Sequence, residues 1–246
     1  MGGMSTELTG QTVVVIGGSA GIGLETGRRA RAEGADVILT ARDPERLRRA
    51  ASELGARTTA AFDATDPEAL DGFFRDLPTI DHVMVTAGRP YYGRLRDMDL
   101  AQMRRALDEH LLLVLHIARA AADKVRPGGT LLFMGGTGGR RPAVGLAILS
   151  TLTAALPALT ANLALELAPV RVNLIAAGFV DTPLSASYFP TREDLDKRRE
   201  QLRATLPIGR VVAPADVAAL AVHIMTNTAL TGATYDIDGG QQFIAS

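Results

Sequence analysis

Three glycines in a G-x-x-x-G-x-G spacing, Gly17, Gly21 and Gly23, stand between an apolar run, Val13-Val14-Val15-Ile16, and a helix-forming segment that ends near Gly34. Residue types in that order can hold a phosphate. Glycine lets the chain turn sharply and lets an anion approach the backbone. The first N–H groups of the following helix lack internal partners and sit at the positive end of its dipole. Ser19 and Ile22 complete the loop, and Ser19 offers a hydroxyl. A second strand-like run, Asp36–Thr40, follows the helix, which is the context a dinucleotide site requires. That run ends in Thr40-Ala41-Arg42. A carboxylate here would accept from a ribose 2′-hydroxyl and repel a 2′-phosphate. Ala41 supplies none, and the planar fork of Arg42 matches a phosphate, so NADP(H) is favoured over NAD(H). Asp63 closes a third run, where it either accepts from an adenine amino group or caps its own loop. Thr86-Ala87-Gly88 closes a fourth, and the small Ala87 and Gly88 let a cofactor ribose pack against backbone.

The elements that position these residues are legible as alternating patterns. Strand-like runs occur at Thr12–Ile16, Asp36–Thr40, Arg57–Phe62, Ile80–Thr86, Gly129–Met134, Val170–Ala176 and Ala233–Ile237, with helical segments between them. Strands that alternate with helices and lack hairpin turns imply a parallel sheet covered on both faces. The expected fold is α/β, a doubly wound Rossmann sheet with its ligand at the carboxyl ends of the strands. Without linkers, low-complexity runs or repeats, residues 1–246 read as a single domain. One helix is expected over Asp99–Lys124. Another, Thr191–Arg203, is dense in charge and reads as a solvated face.

Composition narrows the function. Twenty-six basic and 27 acidic residues give a net charge of −1, so nothing attracts nucleic acid or an anionic membrane. No cysteine is present, which excludes disulfides, thiolate chemistry and cysteine-ligated metal, and no metal site is expected. Met1–Met4 contains two candidate start residues, and no basic-then-apolar leader pattern follows, so a cytoplasmic protein is expected. From Pro142 to Leu165 no residue is charged, long enough for a membrane span. Ser150, Thr151, Thr153, Thr160, Asn162 and Pro157 interrupt that run. It reads as a helix buried in a core and a subunit interface rather than as a span.

Over nearly its whole length the chain resembles the short-chain dehydrogenase/reductase family. The matching stretches are GGSAGIG at Gly17–Gly23, TAG at Thr86–Gly88, VRVNLIAAGFVDTPL at Val170–Leu184, LPIGRVVAPADVA at Leu206–Ala218 and DIDGG at Asp236–Gly240. The resemblance implies a seven-stranded sheet, NAD(H) or NADP(H) as cofactor, and interconversion of a carbonyl and an alcohol on a small substrate. It places Val180 and Thr182 against the nicotinamide and makes about 184–206 a substrate lid. It also implies a homodimer or homotetramer built through helices at about 99–124 and 144–168.

The family's chemistry rests on an asparagine, a serine, a tyrosine and a lysine. Its YSASKAAL stretch falls on Leu149-Ser150-Thr151-Leu152-Thr153-Ala154-Ala155-Leu156. Leu149 then stands for the tyrosine, Thr153 for the lysine, Gly136 for the serine and His110 for the asparagine. Leucine cannot donate a proton, glycine cannot polarise a carbonyl, and threonine brings no positive charge to shift a neighbour's pKa. Thr153 retains a hydroxyl for a cofactor ribose. His110 is the candidate catalytic residue because imidazole titrates near neutrality. Thr137, Tyr91, Tyr92 and Tyr188 are further hydroxyls that could face the pocket. Two functions follow: an NADP(H)-dependent oxidoreductase with a substitute proton donor, or a non-catalytic nucleotide-binding protein for sensing, scaffolding or heteromeric assembly.

Overall fold

The protein is described from a computed structural model that covers residues 7–244; Met1–Met4 and the last two residues lie outside the described part. The chain runs β1 (Thr12–Ile16), α1 (Gly21–Ala32), β2 (Asp36–Ala41), α2 (Pro44–Leu54), β3 (Thr58–Ala61), α3 (Pro67–Asp76) and β4 (Ile80–Val85). It continues through α4 (Leu100–Leu107), α5 (Leu113–Ala121), β5 (Val125–Gly136), α6 (Ala147–Glu166) and β6 (Arg171–Ala177). The remaining elements are α7 (Pro183–Ala186), α8 (Arg192–Thr205), α9 (Pro214–Thr226) and β7 (Thr234–Ile237).

All seven strands are parallel, in the order β3-β2-β1-β4-β5-β6-β7. The period of two along a strand sends neighbouring side chains to opposite faces. Val14 and Ile16 enter one core with Phe74, Ile117, Leu156 and Leu163, beneath α3, α5 and α6. Val13 and Val15 enter the other with Leu47, Leu54, Val217 and Ile224, beneath α2 and α9. The chain leaves β1 toward β2 on one side and returns to β4 on the other. That switch point opens a crevice at the carboxyl ends of β1 and β4.

Most elements begin and end within two residues of the sequence expectation, and two depart from it further. β5 starts at Val125, ahead of the Pro127-Gly128-Gly129 interruption, because Val125 pairs with Ile80 before the register shifts. The helix expected over Asp99–Lys124 is helical from Leu100 to Ala121 but not regular: a π turn, Asp108–Leu112, lies between α4 and α5. π turns inside helices occur often at functional sites. Charge and apolar periodicity do not reveal one extra residue in a turn.

Long-range polar ties hold the far end of the sheet. Arg171 is 6% exposed and has no carboxylate partner among the described residues. Its guanidinium donates to the carbonyls of Gly128, Ile224, Met225, Asn227 and Leu230 at 2.8–3.2 Å. Several of these are the last carbonyls of α9, which need donors and favour a cation. His82 on β4 is 2% exposed, and its Nε2 lies 2.7 Å from Gln11 Oε1. Burial, reinforced by the Arg171 charge, pushes the His82 pKa down to about 3 from 6.5.

The unfolded chain therefore takes up a proton at His82 that the folded chain refuses between pH 6.5 and about 3. Stability falls as pH is lowered through that window, by up to about 1.4 kcal/mol per pH unit. His82→Gln is expected to flatten this fall, measured by urea unfolding at a series of pH values from neutral to mildly acidic.

Candidate functional site

Ile16 and Gly17 end β1 against the end of β4. The Ile16 carbonyl accepts from the N–H groups of Thr86 and Ala87 at 2.8 and 3.1 Å. The Thr86 hydroxyl lies 3.1 Å from the Gly17 carbonyl. A Cβ on Gly17 would come within 2.7 Å of Ala87 N, and one on Gly23 within 2.4 Å of Gly17 O. The protein's own backbone thus demands these two glycines before any ligand does. Gly21, at φ +54°, lies under Thr182, whose Cβ would be 3.3 Å from an added methyl. Asp43, Asp66, Asp99 and Thr191 cap α2, α3, α4 and α8 with side-chain oxygens. α1 follows Ala20, which gives it no side-chain cap, and has no acid in its first turn. Its free N–H groups and glycine cradle fit a phosphate.

One cleft of about 790 Å³ collects most of the residues singled out from the sequence. Gly17, Ser19, Gly21, Ile22, Gly23, Arg42, Asp63, Ala87 and Gly88 line it, as do His110, Gly136, Leu149, Thr153, Val180 and Thr182. At one end stand Arg42 and also Arg46, both exposed and lining the cleft. The carboxylates nearest in sequence are occupied elsewhere: Asp43 accepts the first N–H groups of α2, and Glu45 pairs with Arg48. The two guanidiniums are therefore available to an anion. The sequence reading missed Arg46, whose signal is its place on the first turn of a helix opened by Asp43-Pro44. Asp63 does cap its own loop, accepting from Thr65 N and Oγ1 at 3.0 and 2.8 Å through Oδ1.

The opposite end is apolar where the resemblance implies the catalytic side chains. Leu149 is 6% exposed. Thr153 Oγ1 lies 2.8 Å from the Leu149 carbonyl and 3.2 Å from that of Ser150, so its proton is committed to its own helix. His110 sits within the π turn, its Nδ1 3.1 Å from the Ala106 carbonyl. Burial lowers its pKa, opposed by that carbonyl and by Glu109. Thr137 does not reach the cleft: it is buried, and its N–H bonds the Ala177 carbonyl. Tyr91 also points elsewhere, its ring edge-on to His110 and under the Arg89 guanidinium. Tyr92 and Tyr188 line the cleft instead.

The segment after β6 lies across this end. Thr182 caps α7 through Ser185 N, and Ser185 Oγ bonds the Val180 carbonyl at 2.5 Å. Asp181 accepts both arms of Arg199 at 2.7 and 3.0 Å, fixing α8, so the charged face expected for that helix is partly committed inward. Tyr188 stacks edge-on to Tyr92 with centroids 5.5 Å apart and reaches the Pro90 carbonyl. Burial pushes its phenol up to about 12, so it stays protonated. From the other side Gln241 lines the cleft and accepts the Phe179 N–H at 2.8 Å. Arg140 grips Asp236 with both arms and Gln242 with one.

The chain matches the family model described as enoyl-(acyl carrier protein) reductase over residues 8–242. It is 30% identical over 238 residues to the cyclic-di-GMP-binding biofilm dispersal mediator protein of Escherichia coli, covering 94% of this chain and 97% of that one. It is 32% identical over 253 residues to 3beta-hydroxysteroid dehydrogenase 1 of Eggerthella lenta, covering 96% and 95%. The solved structure of BdcA in complex with NADPH superposes with a TM-score of 0.85 at 28% identity, covering 95% of each chain.

The contacts around the glycines separate fold from site. Gly23→Ala is expected to cost about 2–3 kcal/mol through backbone overlap and to lower Tm by several degrees. Gly136→Ala, whose added Cβ meets nothing nearer than 3.6 Å, is expected to leave Tm unchanged. Thermal unfolding of the two variants checks both.

Proposed function

The chain belongs to the short-chain dehydrogenase/reductase family, and on that premise we propose that it is an NADP(H)-binding protein that retains the cofactor site without the family's proton relay. The single observation that carries this is the asymmetry of the cleft. Its phosphate end is provided with an uncapped helix, a glycine cradle and two available arginines. Its chemical end holds Gly136, Leu149 and a Thr153 whose hydroxyl is turned to its own helix. Ser19 and Arg42, with Arg46, would hold the 2′-phosphate. Asp63 would meet the adenine through Oδ2, the oxygen its loop does not use, Ala87 and Gly88 the ribose, and Val180 and Thr182 the nicotinamide. When bound, the nicotinamide would supply hydride chemistry; the protein supplies binding and orientation. The segment at about 184–206 would act as a lid, closed by the Tyr92–Tyr188 contact.

An oxidoreductase acting on a small carbonyl or hydroxyl compound is the second reading, and His110 favours it, since its ring borders the same cleft. Among the relatives, one is named for cyclic-di-GMP binding and another for dehydrogenase activity. The fold serves both roles.

A symmetric partner chain accounts for the surface. Leu100, Leu107, Leu112, Leu115 and Leu165 are exposed on α4, the π turn, α5 and α6. α6 is long and apolar enough to cross a membrane by length and composition, yet its inner face carries Leu149, Leu152, Leu156 and Leu163 into the core. Packing α4–α6 against a second copy covers the remaining apolar face, as in a homodimer or homotetramer.

Calorimetric titration should show NADPH bound more tightly than NADH. Replacing Arg42 and Arg46 by alanine should weaken NADPH about tenfold per arginine and leave NADH unchanged. The wild type should oxidise NADPH slowly or not at all against a panel of aldehydes and ketones. Restoring the side chains with Gly136→Ser, Leu149→Tyr and Thr153→Lys together should raise that rate by about 100-fold or more. Rapid wild-type turnover lost in His110→Ala would establish the second reading in place of the first.

A further inference from the structure

His110 has one ring nitrogen committed and one open. A carbonyl only accepts, so Nδ1, which faces the Ala106 oxygen at 3.1 Å, carries the proton. In the neutral ring Nε2 then holds a lone pair. Among the described residues Nε2 has no hydrogen-bond partner, and it is not among the buried polar atoms sealed from solvent. The residue borders the cleft. Among the described residues no side chain donates to it: Gly136 and Leu149 have no polar side-chain atom, the Thr153 proton is turned to its own helix, and Tyr91, edge-on to the ring, makes no hydrogen bond with it. Burial favours the neutral ring over the smaller opposing effects of Ala106 and Glu109. A lone pair in this position accepts a hydrogen bond and cannot give one.

Resting on the reading of the cleft as a dinucleotide site, we propose that His110 Nε2 is the acceptor for a hydroxyl of the bound ligand, so that this end of the cleft selects an alcohol over the corresponding carbonyl. The hydroxyl comes from one of two sources, the ribose of the dinucleotide or a second small molecule beside it. Either way His110 is a specificity residue, and it is unsuited to the role of proton donor to a ketone.

The tautomer is tested first, on nitrogen-labelled protein without ligand, the His110 ring signals being identified by their loss in His110→Phe. A protonated Nδ1 and bare Nε2 near neutral pH are expected; a proton on Nε2 overturns the proposal. Calorimetry then locates the hydroxyl, with NADPH alone and with 1-phenylethanol against acetophenone on the NADP+ complex. The aromatic probes suit the Tyr92, Phe179, Tyr188 and Phe189 rings at that end. If the ribose is the donor, His110→Phe weakens NADPH about tenfold and His110→Gln, which keeps an acceptor, does not. If the second ligand is the donor, NADPH is unaffected. The wild type then prefers the alcohol about tenfold, His110→Phe loses that preference and His110→Gln keeps it. NADPH binding that is equal in wild type and His110→Phe, with no preference for the alcohol, overturns the proposal. Failure of the wild type to bind NADPH counts against the dinucleotide reading instead, and the ligand-free tautomer still judges His110.

Discussion

The junction of β1 with β4 is the constraint on which the cleft depends. The Ile16 carbonyl takes two backbone N–H donors from Thr86 and Ala87, and the Thr86 hydroxyl closes on Gly17. Gly17 and Gly23 pack so closely onto this knot that neither admits a methyl group. The crossover directions of a doubly wound sheet create the crevice; the knot fixes its floor and aims α1 at it. Because the floor is made of backbone, changes of side chain elsewhere in the cleft leave it intact. That is how a chain can keep the cradle while its other end carries leucine, threonine and glycine.

Much of this was legible in the sequence because it rests on local pattern. The seven strands follow from apolar runs, and Asp43-Pro44 and Asp66-Pro67 announce helix starts through an N-cap and a residue that needs no donor. That Gly17, Arg42, Asp63, Ala87 and Val180 would share one cleft was legible, since strand ends in a parallel sheet must meet at one edge. Three features were not. The π turn at His110 differs from a regular helix by one residue and leaves no mark on composition. Arg46 lines the same cleft as Arg42 only because α2 begins at Pro44, directly after β2. The direction of a hydroxyl decides whether it is available: that of Thr153 is committed to its own helix, and Thr137 is buried outside the cleft.

The distribution of arginines shows how one residue type serves opposite ends. Arg171 is buried and satisfied wholly by carbonyls, where a planar fork with five donors meets a helix terminus. Arg199 and Arg140 are paired with carboxylates across long sequence separations and hold α8 and β7 in place. Arg42 and Arg46 differ because their neighbouring acids are used as a cap and in another pair. Availability of a cation here is set by what its neighbours are doing and cannot be read from net charge.

The tie between Gln241 and Phe179, with Arg140 gripping Asp236 and Gln242, brings a late part of the chain to the floor of a cleft begun by the first strand. During synthesis the glycine cradle leaves the ribosome long before the residues that brace its far wall. Domains fold as units whose non-local contacts form late. Because the domain folds as a unit, the cradle becomes a site only when its opposite wall has been made. The site is completed after translation has passed β7, and a ligand that spans both ends would meet a finished cleft only then.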